Sequence, residues 1–197
     1  MDFSENDLYK TIDFPSEEVL LKEKNSKFFG YAIPVTSEED VKENLERLRK
    51  EHFSARHWCY AYQIGTEKIQ YRANDDGEPN NSAGMPIYGQ IQSFEVTNVL
   101  VVVVRYFGGV KLGVGGLISA YKTAAQMALE NATIIEKTID KHFIISFGYA
   151  HMNKVMRIIK EKNLQIVSQK MEMDCEIEIS IRKKSVQNLL DTFENLY

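Results

Sequence analysis

Asp75, Asp76 and Glu78 stand close together in Asn74-Asp75-Asp76-Gly77-Glu78-Pro79, a polar stretch that runs on through Asn80-Asn81-Ser82-Ala83-Gly84-Met85-Pro86. Carboxylates at this spacing offer hard oxygen ligands for Mg²⁺ or Ca²⁺, or an acid–base pair if burial splits their pKa values. They lack the spaced ligands of an EF-hand loop. Their plainer use is an Asp-Gly turn, with the carboxylates accepting local N–H groups or pairing with Arg105. A second stretch, from Arg105 to Gly116, combines Arg105 and Lys111 with Gly108, Gly109, Gly113, Gly115 and Gly116. Exposed backbone N–H groups and a helix expected to start near Gly115 attract phosphate or carboxylate. With Lys122 these residues form a candidate anion or nucleic-acid site. The same glycines serve equally well for a tight reversal between strand and helix. No Gly-Lys-Ser/Thr follows, so the stretch is not a P-loop. Ile118 stands where a Rossmann fingerprint needs its third glycine. Neither a cofactor nor a dedicated metal site is expected.

His57 and Cys59 lie two apart on an expected strand and so share a face. They are a conceivable nucleophile–base pair, but nothing in the sequence orients the histidine, and cysteine is commonly plain core. Trp58 and Tyr60 face the other way, open to core packing or to base stacking. His52, His142 and His151 show no metal-ligand spacing.

The elements that must hold these groups follow from periodicity. Asn98-Val99-Leu100-Val101-Val102-Val103-Val104 reads as a strand buried on both faces. The loop that leaves it therefore rests on an immobile base. Lys27–Val35, Trp58–Ile64 and Ile69–Arg72 read as further strands. A helix with a Thr36/Glu39 capping box carries Val41, Leu45 and Leu48. Pro86–Ile91 reads as a short helix, and a long one from about Gly115 to Asn131 turns Leu117, Tyr121, Ala124 and Ala128 inward. Thr133–Asp140 reads as a strand and linker, placing a domain boundary between residues 1–137 and 138–197. Beyond it, His142–Phe147, a helix with Met152, Val155, Met156 and Ile159, strands Leu164–Gln169 and Met173–Ile181, and a helix capped by Ser185 with Val186, Leu189, Leu190 and Phe193 inward make a β-α-β-β-α order. That is a ferredoxin-like pattern without its final strand. The pattern stops at Tyr197, and Glu194-Asn195-Leu196-Tyr197 matches the start of a protease-tag site, so a shortened or tag-derived terminus is expected.

The chain's 197 residues carry a net charge of −4. Residues 1–137 hold 15 Lys and Arg against 20 Asp and Glu, or −5; residues 138–197 hold 9 against 8, or +1. Neither part has the basic excess of a general nucleic-acid binder, so any such binding needs a local patch. The acidic N-terminus is not a secretory signal, and two distant cysteines fit a reducing, cytoplasmic setting.

The blocks Asp75-Asp76-Gly77-Glu78-Pro79, Ala83-Gly84-Met85-Pro86 and Arg105–Gly113, extended by Gly115-Gly116-Leu117 and Ala120-Tyr121, resemble the signature of the IMPACT/YigZ family. His57-Trp58-Cys59-Tyr60-Ala61-Tyr62 resembles that family's preceding strand. The resemblance implies an α+β fold of two domains. The first is similar to the second domain of a small-subunit ribosomal protein, the second to the ferredoxin-like last domain of elongation factor G. It further implies a non-catalytic, translation-associated regulator contacting RNA, the ribosome or a ribosome-bound partner, and no membrane. Ser119 departs from the arginine common there and removes a cation near the glycine loop. The alternative is an enzyme acting on a phosphorylated or peptide-like small molecule at that loop.

Overall fold

The computed structural model describes residues 7–194 and divides into two compact units, Tyr9–Lys137 and the segment from Thr138 onward together with Asp7 and Leu8. A two-stranded ribbon of β1 (Leu8–Ile12) and β7 (Ile134–Thr138) spans the positions where the chain passes from one unit to the other. Asp7 belongs with the second unit because its carboxylate pairs with Arg182 and its carbonyl accepts the Ile139 N–H at 2.7 Å.

The first unit is built on a five-stranded antiparallel sheet in the order β2 (Val19–Glu23), β3 (Ser26–Pro34), β6 (Val99–Tyr106), β4 (His57–Ile64), β5 (Gln70–Asn74). The apolar run becomes the central strand, as its composition requires. Val99, Val101 and Val103 face one core with α2 (Gly84–Ser93) and α3 (Gly113–Asn131), while Leu100, Val102 and Val104 face another with α1 (Glu38–Glu51). All six are fully buried, at about 1.5–3 kcal/mol each as an upper figure. The small residues of α3 let its backbone approach the sheet closely. A Cβ on Gly30 would lie 2.7 Å from the Ala124 carbonyl oxygen, so β3 needs glycine there.

Several boundaries differ from the sequence pattern, each for a local reason. The capping box of α1 is Ser37 and Asp40, not Thr36 and Glu39. Asp40 is short enough to turn back and accept the N–H groups of Thr36 at 2.7 Å and Ser37 at 3.0 Å, and it also accepts the Thr36 hydroxyl. The Thr36 N–H, before the others, holds its carboxyl below the usual carboxylate range. Helix α3 begins at Gly113 rather than Gly115, and α2 extends to Gly84 and Ser93. Strands β1 and β2 carry no clear alternation in sequence and come from pairing alone.

In the second unit β8 (Asp140–Gly148), β10 (Asp174–Arg182) and β9 (Gln165–Lys170) form an antiparallel sheet in that order. Helices α4 (Met152–Glu161) and α5 (Val186–Glu194) complete it. Alternation along β10 buries Cys175, Ile177 and Ile179 with Phe147, Val155, Ile159 and Leu189. The Phe193 side chain and residues 195–197, where a closing strand was to be sought, lie outside the described residues. No described helix is long and apolar enough to cross a membrane.

Candidate functional site

The acidic loop leaves β5 at Asn74, whose side-chain oxygen accepts the Asp76 N–H at 2.7 Å. Positive φ at Asp76 (42°) and Gly77 (87°) turns the chain back. Asp75 then acts as a cap at a distance. One carboxylate oxygen accepts the N–H groups of Ala83 (3.0 Å) and Gly84 (2.8 Å) at the start of α2, and the other accepts Asn81 N–H (2.8 Å). Helix α2 has no side-chain cap of its own, so this negative charge meets its dipole. Asp76 accepts Trp58 N–H at 2.7 Å and faces Arg49 at 3.4 Å. Both aspartates are thus occupied in building the loop. Among the described residues no three His, Cys, Asp or Glu side chains gather as metal ligands.

Glu78 is used differently. Its side chain is 5% exposed and its Oε1 accepts Arg105 at 2.6 Å and the Tyr121 hydroxyl at 2.8 Å, with His57 Nε2 at 3.9 Å. The two polar loops therefore meet, as opposite charges at this spacing should. Arg105 lies between the rings of Phe28 and Phe107, each 5.4 Å from its guanidinium carbon, and reaches Ser26 Oγ at 3.4 Å. Its Nε is buried without a partner. As a candidate anion ligand Arg105 is thus already committed to Glu78. The pair lines a cleft of about 330 Å³ with Pro79, Phe107, Lys111, Leu112, Val114 and Leu117.

The glycine loop is shaped by contact as much as by φ. Gly109 (86°) and Gly113 (74°) need the left-handed region. Gly108 instead is pressed against the β2–β3 turn, where an added Cβ would lie 2.1 Å from the Asn25 carbonyl, and its N–H donates to Ser26 Oγ at 3.2 Å. Gly115 meets nothing within 4 Å and Gly116 faces only Leu112. The first turn of α3 has no side-chain cap. Lys111 is exposed on this loop. Lys122 is exposed nine residues into α3, about 14 Å from its start, so it stands apart from the loop. Ser26 escaped the sequence reading; Phe28 stood there only within an expected strand, Phe107 only within the family-like glycine block, and Tyr121 as an inward face of α3 and part of that signature, none of them as a partner of Arg105 or Glu78.

His57 and Cys59 do share a face, but each bonds to the acidic loop. His57 Nδ1 donates to the Asp76 carbonyl at 2.9 Å, and the Cys59 thiol donates to the Asp75 carbonyl at 3.0 Å. Cys59 is fully buried, and that burial pushes its thiol well above the usual cysteine range. A folded-state pKa above the unfolded one means that stability is whole below about pH 8.5 and declines as pH rises beyond it. Native protein at pH 8 should accordingly resist iodoacetamide at Cys59 at least a hundredfold longer than protein in urea. Equal rates would restore the thiol as a candidate nucleophile.

Residues 24–129 match the model of the Impact N-terminal domain. The IMPACT family member YvyE of Bacillus subtilis is 31% identical over 176 residues, covering 89% of this chain and 81% of its own. Protein IMPACT of Homo sapiens is 36% identical over 98 residues, 47% of this chain and 30% of its own length. A solved structure described as that of a hypothetical protein superposes with a TM-score of 0.76 at 25% identity, covering 97% of this chain and 93% of the other. The motifs that build the paired loops fall within the matched region, and the chain belongs to the IMPACT family.

Proposed function

We propose that this protein is a translation-associated regulator that contacts RNA, the ribosome or a ribosome-bound partner without catalysing a reaction. The observation that carries the reading is how the chemistry-bearing groups are spent. Asp75 and Asp76 hold backbone N–H groups, Glu78 and Arg105 neutralise each other, and Cys59 has no access to solvent. What the loops offer outward is charge and shape. Family resemblance supplies the translational setting. The strand order β8-β10-β9 supports a ferredoxin-like second unit of the kind the resemblance implies, similar to the last domain of elongation factor G, and a ribosomal-protein-like first unit would also suit an RNA surface. Candidate anion contacts are Lys111, Lys122 and the first-turn amides of α3, which no side chain caps.

A second reading, an enzyme acting on a phosphorylated or peptide-like small molecule, is favoured by one observation, the buried unpaired Arg105 Nε on a residue lining the cleft. Ribosome co-sedimentation separates the two. The protein should pellet with ribosomes at about 50 mM salt and be released by about 300 mM, as phosphate contacts predict. The Lys111→Ala/Lys122→Ala variant should need less salt for release. Failure to pellet at any salt would overturn the reading.

A further inference from the structure

The first unit is acidic, so phosphate binding needs a local excess of positive charge. One end of its sheet has it. Lys24 and Lys27 lie in and beside the β2–β3 turn, Arg56 immediately precedes β4, and Lys111 is on the glycine loop. All four are exposed, and none of their side chains pairs with any described residue. They are 87 residues apart at the extremes yet gathered by the fold. Lys24 and Asn25, both at positive φ, form the tight turn onto which Gly108 is clasped. Lys27 stands opposite Tyr106 across β3–β6, and the Arg56 N–H donates to the Arg105 carbonyl at 3.2 Å. With strands about 4.8 Å apart, the backbones of Lys27 and Arg56 are about 10 Å apart on either side of β6. Glu23, the last residue of β2, is the acid beside the turn; Glu18 stands 3.9 Å from His52 behind Tyr106, and Asp76 faces Arg49.

Aromatic rings are set among these cations. Phe107 is 39% exposed and lines the 330 Å³ cleft, its ring held by the Arg105 guanidinium. Phe29 and Tyr106, packed edge to face at 5.5 Å, are half-buried on the α1 face of the same sheet end, so a strand that uses both Lys27 and the cleft must pass over that end from one face to the other. A duplex presents phosphates to such a surface but has no use for an apolar cleft. A single strand uses both, its phosphates on the cations and an unstacked base on a ring.

We infer that this end of the sheet binds a single-stranded RNA segment, with Lys24, Lys27, Arg56 and Lys111 on its phosphates and one base entering the cleft against Phe107. The inference deepens the regulatory reading above and rests on it for the choice of RNA. Fluorescence anisotropy of the full chain with a labelled single-stranded oligouridylate of about twelve nucleotides, against a duplex of equal length, tests it. The single strand should bind more tightly. Lys24→Ala/Lys27→Ala/Arg56→Ala should weaken binding at least tenfold and flatten the slope of log K against log salt by about two units. Phe107→Leu keeps the apolar volume but should lose about tenfold with the slope unchanged, and Phe107→Tyr should recover it. Equal binding by the triple variant, by Phe107→Leu or by the duplex would overturn the inference. Wild-type protein that pellets with ribosomes but ignores the strand overturns the inference and leaves the regulatory reading. Protein that binds the strand but never pellets does the reverse.

Discussion

Glu78→Ala should cost the first unit about 3–5 kcal/mol, the penalty for leaving a buried guanidinium without its counter-ion. Both side chains are nearly inaccessible, at 5% and 6% exposure, so solvent cannot take the place of the lost carboxylate. The Tyr121 hydroxyl, fully buried, would lose its acceptor in the same step. Removing both charges tells a different story. Glu78→Leu with Arg105→Met leaves no orphaned ion and should recover most of the loss, because a buried pair gains little over well-packed apolar groups. The chain's single tryptophan, Trp58, is bonded to the acidic loop and reports this unit selectively. Urea unfolding followed by its fluorescence would contradict this account if Glu78→Ala moved the midpoint by less than about 1 kcal/mol equivalent.

The same methyl group should act in opposite directions at two glycines of one loop. Gly108→Ala places a Cβ 2.1 Å from backbone atoms of Asn25, which cannot swing aside as a side chain would. The loop must lift off the β2–β3 turn, giving up the bond to Ser26, at about 3 kcal/mol or more. Strand affinity should fall with it although no cation has been removed. Gly115→Ala meets open space inside a helix and should be neutral or stabilising by up to about 1 kcal/mol. Thermal melts and anisotropy on the two variants check this, and a Gly108→Ala protein as stable as wild type would remove the clasp from the account.

Much of this was legible in residue types. Val99–Val104 announced a strand with two buried faces, and Arg105 at its end was expected to meet the acidic block. Which carboxylate it meets was not legible. Asp75, Asp76 and Glu78 look alike in sequence, and only the turn at positive φ sends Glu78 inward while Asp75 swings to the start of α2. Gly108 read as a source of conformational freedom, whereas its need is for space against a turn more than eighty residues earlier. Lys24, Lys27 and Arg56 drew no notice for the same reason. Each is an ordinary surface cation until the β2–β3 turn and the register of β3, β6 and β4 bring them to one end of the sheet, Lys27 and Arg56 on either side of β6.

Inside the sheet end, charge is cancelled at contact distance; outside it, charge is left unanswered. Dissolved ions reach the second arrangement and not the first. A rise in ionic strength should therefore loosen this protein's grip long before it loosens its fold. Holding and releasing can then be governed by the medium alone, with the receiving surface unchanged in shape from one state to the other.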